Sequence, residues 1–167
     1  MMRFCFLIFL PFVIVGCNFS TPAELRNLNP VTITIMQGDQ PVENVHVLLV
    51  NKKPQNSLYS CGGVTDIKGH TKIQTTLREY VRDGVPAGNY SAILRQKIVF
   101  PDDLKSLEEE ISLPESERKK RQDKRIAFEE QNRVIPKILE SSATSPVELI
   151  VEEKKGTELT IDISKYR

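Results

Sequence analysis

An apolar alternation of period two places the strongest limit on what this chain can fold into. Val31, Ile33 and Ile35 fall on one side of an extended segment, with Thr32 and Thr34 on the other, as a strand with one face in a core requires. Val45, Val47 and Leu49 repeat the pattern, and Leu48 and Val50 make that strand apolar on both faces, a candidate for the interior of a sandwich. Tyr90, Ala92 and Leu94 share one face of a run from Asn89 to Ile98, and strand character returns at Val147 to Val151 and Leu159 to Ile163. Turn chemistry separates these runs at Gln37-Gly38-Asp39-Gln40-Pro41, at Asp66 to Gly69 ahead of His70 to Thr76, and at Arg82 to Gly88. Lys154-Lys155-Gly156 predicts a tight turn that joins the last two strands as a closing hairpin.

The period changes between Asp102 and Glu130. That stretch is strongly charged, and Leu104, Leu107 and Ile111 fall at helical spacing before Pro114 stops the run. A second helix is expected through Arg133, capped by Ser112 or Ser116, with Glu115 and Glu117 near its positive end. Its apolar surface is chiefly Ile126 and Phe128, so it is expected to be solvated or loosely docked.

The N-terminus has a different logic. Met1-Met2-Arg3 followed by the apolar run Phe4 to Val15 has the positive start and short apolar core of a secretory signal, and the run is shorter than a membrane-spanning helix needs. Ile14-Val15-Gly16-Cys17 resembles the bacterial lipobox. The resemblance implies cleavage between Gly16 and Cys17 and acylation of Cys17, the lipid anchor (palmitate or a similar acyl chain) holding the protein at a membrane. Asn18 in the next position implies delivery to the outer membrane. Asn18 to Pro30 is polar, contains Pro22 and Pro30, and reads as a flexible tether.

Composition bears on partners and chemistry. A net charge of +1 gives no surplus of cations for phosphate neutralisation, which argues against a nucleic-acid partner. Of three cysteines, Cys5 lies in the signal and Cys17 in the lipobox, leaving Cys61 without an intramolecular partner. No Lys, Arg or His in Tyr59-Ser60-Cys61-Gly62-Gly63 would lower its pKa, so a bland buried or loop thiol is expected. The two histidines, His46 and His70, fall on different expected strands without a metal-ligand spacing, so neither metal nor cofactor is expected. No Gly-x-Ser-x-Gly elbow or phosphate-cradling loop is present. Glu108-Glu109-Glu110 diverge around a helix and do not converge on a cation. Arg118 to Arg121 is diluted by Glu115, Glu117 and Asp123, and Tyr59 and Tyr80 are the candidates for an aromatic binding platform.

Gly38-Asp39-Gln40-Pro41-Val42-Glu43-Asn44-Val45, Thr65-Asp66-Ile67-Lys68-Gly69 and Val85-Pro86-Ala87-Gly88-Asn89-Tyr90 resemble the successive turn motifs of carboxypeptidase-regulatory-like or transthyretin-like domains. Ile135-Pro136, Ser142-Ala143-Thr144-Ser145-Pro146 and Lys155-Gly156 resemble the C-terminal strands of small lipoproteins of that group, of the planctomycete type. The resemblance implies an antiparallel Greek-key β-sandwich with a charged helical insertion, and no characterised activity. Lys165-Tyr166-Arg167 is similar to part of the Tyr-Arg-Gly-Ser signature of a purine-breakdown hydrolase in the transthyretin superfamily. The Gly-Ser is missing, and a frayed polar terminus is expected there.

The expected organisation is a signal peptide over 1–16, a lipidated Cys17 and tether over 17–30, and a β-sandwich domain over 31–167 with its insertion at about 102–133. The expected function is that of a non-enzymatic interaction or structural module, lipid-anchored in the bacterial cell envelope, with an envelope protein or glycan as partner. The alternative is a transthyretin-like small-ligand carrier or hydrolase.

Overall fold

The computed structural model describes residues 22, 25–53, 59–101, 104 and 113–166. The signal segment, Gly16, Cys17 and Glu108-Glu109-Glu110 lie outside the described residues, as does all of the first expected helix except Leu104.

The chain is mainly β, built as two sheets around one core. The larger sheet is wholly antiparallel: β7 (Tyr80–Asp83), β6 (Gln74–Leu77), β4 (Ser60–Val64), β3 (Val45–Asn51), β8 (Gly88–Gln96) and β9 (Glu148–Val151), in that spatial order. The smaller sheet centres on β1 (Val31–Gln37), flanked by β10 (Thr157–Asp162) on one side and by β2 (Gln40–Pro41) and β5 (His70–Lys72) on the other. Val31, Ile33 and Ile35 from β1, Val45, Val47 and Leu49 from β3, and Tyr90, Ala92 and Leu94 from β8 meet in a single buried cluster. The alternation thus does what its period demands, and each of these larger apolar side chains contributes about 1.5–3 kcal/mol by leaving water.

The hairpin at Asp66–Gly69 forms, and it also links the sheets. Asp66 Oδ1 accepts the N–H groups of Lys68 and His70, and Gly69 takes the positive φ of +73° that the turn needs. The returning strand pairs first with β1, as β5, and after Ile73 with β4, as β6. Ile73 is the crossing point, its N–H donating to Val31 O at 2.9 Å.

Five expectations need correction. The last two strands do not close as a hairpin: β9 joins β8 in the large sheet, while β10 runs parallel to β1 in the small one. The turn between them carries the chain across the core. Lys154 sits at φ 58° and its N–H is held by Asn29 Oδ1 at 2.6 Å, which commits the turn away from β9. The small sheet is therefore mixed rather than purely antiparallel. Second, β3 is not buried on both faces, since Val50 is 40% exposed and Leu48 only half-buried.

Third, the packed part of the chain includes residues before Val31. Leu25 and Asn29 are buried, and Asn29 forms an isolated antiparallel bridge with Val85, so the last residues of the expected tether belong to the domain. Fourth, Tyr166 is not frayed: Ile163–Tyr166 forms a 3-10 turn with Ile163 fully buried and Tyr166 packed against the core, while Arg167 lies outside the described residues. Fifth, α1 (Glu115–Asn132) starts behind Pro114, which has no side chain to donate or accept, and Ser116 lies within the helix rather than at its cap.

The solvated character of α1 follows its composition, and none of its residues is buried. It is held at its C-terminal end. Gln96 donates to Asn132 O and accepts the Val134 N–H, clamping both sides of the helix terminus. Arg133 pairs with Glu129 and Glu140. Phe128 meets Phe100 at a ring separation of 5.7 Å, with the Arg125 guanidinium over the Phe100 ring at 5.0 Å.

Candidate functional site

The paired strands β3, β4 and β8 bring four side chains of chemical interest to one place. Tyr90 faces inward because it alternates with Ala92 and Leu94, and its register partner on β3 is Asn51. Its hydroxyl donates to Pro86 O at 2.9 Å. Burial raises the Tyr90 pKa far above the ordinary phenol value, and hydrogen bonding with the Tyr59 hydroxyl adds to the effect, while the Asn51 carboxamide opposes it. Gly88 makes room for the cluster: a Cβ there would stand 3.3 Å from both Asn51 Nδ2 and Tyr90 Cε2.

Cys61 lies beside this cluster, with its sulfur 3.3 Å from Thr75 Oγ1. The single hydroxyl proton of Thr75 goes to Gly84 O at 2.6 Å. The threonine oxygen can therefore only accept from sulfur, and the thiol is the donor. Burial pushes the Cys61 pKa up. A thiol held protonated in this way is a packing group rather than a nucleophile.

A cavity of about 270 Å³ opens against these residues, lined by Leu48, Leu49, Asn51, Tyr59, Cys61 and Tyr90 among others. It is mostly apolar, with Asn51, Tyr59, Ser60 and Tyr90 as the polar residues of its lining. That lining suits a small uncharged molecule able to exchange one or two hydrogen bonds.

No family model, curated protein or solved structure matches the chain.

The other singled-out residues are dispersed. His46 lies on the outer face of the large sheet and His70 on the outer face of the small one, both exposed. Among the described residues, no three His, Cys, Asp or Glu side chains come together as a metal site. Tyr59 is half-buried against the core, and Tyr80 opens β7 at the sheet edge, so the two do not build an exposed aromatic platform. Arg118 to Arg121 lie on the solvated helix. No helix of the described residues is long and apolar enough to cross a membrane.

Two residues that matter escaped the sequence reading. Asn51 has no motif around it. Tyr90 was legible only as a core residue, although Pro86 four positions earlier supplies the carbonyl that takes its proton.

Proposed function

We propose that this protein is a lipid-anchored envelope module, made with a signal peptide over 1–16 and acylated at Cys17, whose β-domain binds or spaces rather than catalyses. The lipobox-like Ile14-Val15-Gly16-Cys17 and the Asn18 that follows support anchoring, at the outer membrane. The observation that carries the reading of a held module is the docking of Asn29. Its main chain bridges Val85, and its carboxamide reaches both Val85 O and Lys154 N. A pull on the N-terminus is thus borne by two other segments of the fold, the turns at Val85 and Lys154. The placement of the reactive side-chain types favours a binding role: the histidines stand on opposite outer faces, and Cys61, the one thiol among the described residues, is buried and donates to Thr75.

We read the two sheets around one core as a Greek-key sandwich of the transthyretin-like kind, with residues 102–133 as its insertion and an envelope protein or glycan as its partner. Mass spectrometry of the protein from native membranes tests the anchor. A diacylated or triacylated peptide beginning at Cys17 is the expected result, and an unmodified start elsewhere would overturn it.

The cavity beside Tyr59 and Tyr90 favours a second reading, that of a small-ligand carrier. It predicts a rise in melting temperature with small phenols or alcohols that Tyr59→Ala abolishes. A flat response across such compounds would remove it.

A further inference from the structure

The end of the domain at which the anchor enters carries an exposed apolar and basic surface. Asn29 ties together the turn before β8, at Val85, and the turn after β9, at Lys154. Gly88 and Val151 are paired at this same end, and the Lys52 N–H donates to Asn89 O, which brings the end of β3 alongside. On the outer face here, Ile150 is 65% exposed and Val50 40% exposed. Lys52, Lys53, Lys154 and Lys155 lie in the adjoining segments, together with the exposed Glu148, Glu152 and Glu153. Lys52 pairs with Glu148 and Lys155 with Glu152, while Lys53 and Lys154 make no ion pair among the described residues.

The length of chain outside the fold limits how far this end can stand from the membrane. From Cys17 to Leu25, where the chain docks, eight steps span at most about 28 Å when fully extended. The opposite end, with the Gly38 and Gly69 turns and the Gln96 clamp on α1, is separated from it by the length of β8, nine residues or about 30 Å.

We propose that the surface formed by Val50, Ile150, Lys53 and Lys154 lies against the bilayer that holds Cys17, so that α1 is presented away from the membrane. Apolar side chains flanked by ammonium groups suit the boundary between acyl chains and phosphate headgroups. The orientation rests on the anchor reading above, and it adds which face is hidden and which is offered to a partner.

The test uses the acylated full-length protein in vesicles of phosphatidylethanolamine and phosphatidylglycerol, spin-labelled at single introduced cysteines. Cys61 is buried and Cys17 blocked by lipid, so the label goes to the new thiol. Labels at Ile150→Cys and Lys53→Cys are expected to show several-fold higher collision with lipid-soluble oxygen, relative to a water-soluble nickel chelate, than labels at Asp39→Cys and Ile67→Cys. All four sites are exposed. Mass spectrometry of the same samples reports whether Cys17 is acylated. Equal ratios at the four sites in acylated protein would overturn the orientation and leave the anchor standing; an unacylated Cys17 would remove both.

Discussion

The side-chain Oδ1 of Asn29 accepts the backbone N–H of Lys154 at 2.6 Å, across 125 residues of sequence. The same carboxamide donates to Val85 O at 3.2 Å. A residue 4% exposed therefore bonds the backbone of two separate turns, the one before β8 and the one after β9. It lies two residues before β1.

Asn29→Ala removes both side-chain bonds; Val85 O keeps the Asn29 backbone N–H at 2.8 Å, and the Lys154 N–H is left short of a partner. A loss of about 1–3 kcal/mol in urea unfolding is expected. Asn27→Ala, at an exposed position two residues earlier, is expected to change stability by less than about 0.5 kcal/mol. Equal effects of the two substitutions would show that the carboxamide bridge does not hold the turn.

Two turn glycines with similar φ have unequal needs. A Cβ on Gly69, at φ +73°, would stand 2.4 Å from Ile35 O, whereas one on Gly38, at φ +61°, meets nothing within 4 Å. Gly38→Ala is expected to cost about 1 kcal/mol for its backbone conformation alone. Gly69→Ala adds a clash with main chain and is expected to cost at least about 2 kcal/mol more. Thermal unfolding of the two variants side by side checks the difference.

The pH dependence has two limbs of opposite sign. The Asp66 carboxylate is held below the usual range chiefly by the His70 N–H, and Asp162 chiefly by the Ser164 hydroxyl and then the Gly38 N–H. Their folded pKa values lie below the unfolded value of about 3.9. Their stabilisation is therefore full above that pH and is lost as pH falls through the folded values. Tyr90 is raised instead, so its contribution is full below the unfolded phenol value of about 10 and is lost as pH climbs past it. Stability measured against pH is expected to fall at both extremes. Tyr90→Phe should flatten the alkaline limb while lowering the plateau by about 1–2 kcal/mol for the lost bond to Pro86.

The helix α1 is expected to come loose without unfolding the sheets. Its contacts include the ring pair with Phe100 and the Gln96 clamp, and it buries no residue of its own. Phe128→Ala is expected to speed amide exchange across residues 115–132 while leaving β3 and β8 protected. Faster exchange in both strands as well would mean that the helix is part of the core's cooperative unit.

Much of the architecture was legible because strand burial is a local property. Whether Ile33 or Thr34 faces the core follows from alternation alone, and the Asp66–Gly69 and Gly38 turns follow from residues whose backbone or side chain makes the bend. The solvated helix over 115–132 follows from a sequence almost without apolar positions. These elements could be placed without knowing what lay across from them.

What the tertiary structure decided was partnership. Leu159 to Ile163 reads as a strand in any context, yet β10 pairs in parallel with β1 because Asn29 holds the Lys154 turn and directs the chain across the core rather than back along β9. Val50 is exposed rather than internal, and Ile73, its N–H still bonded to Val31 O of β1, is where the chain passes from one sheet to the other. The cluster of Tyr59, Tyr90, Asn51 and Cys61 exists only through the registers of β3, β4 and β8. Alternation records which side of a strand is apolar; hydrogen bonds between distant segments choose its neighbour, and a single sequence carries no trace of that choice.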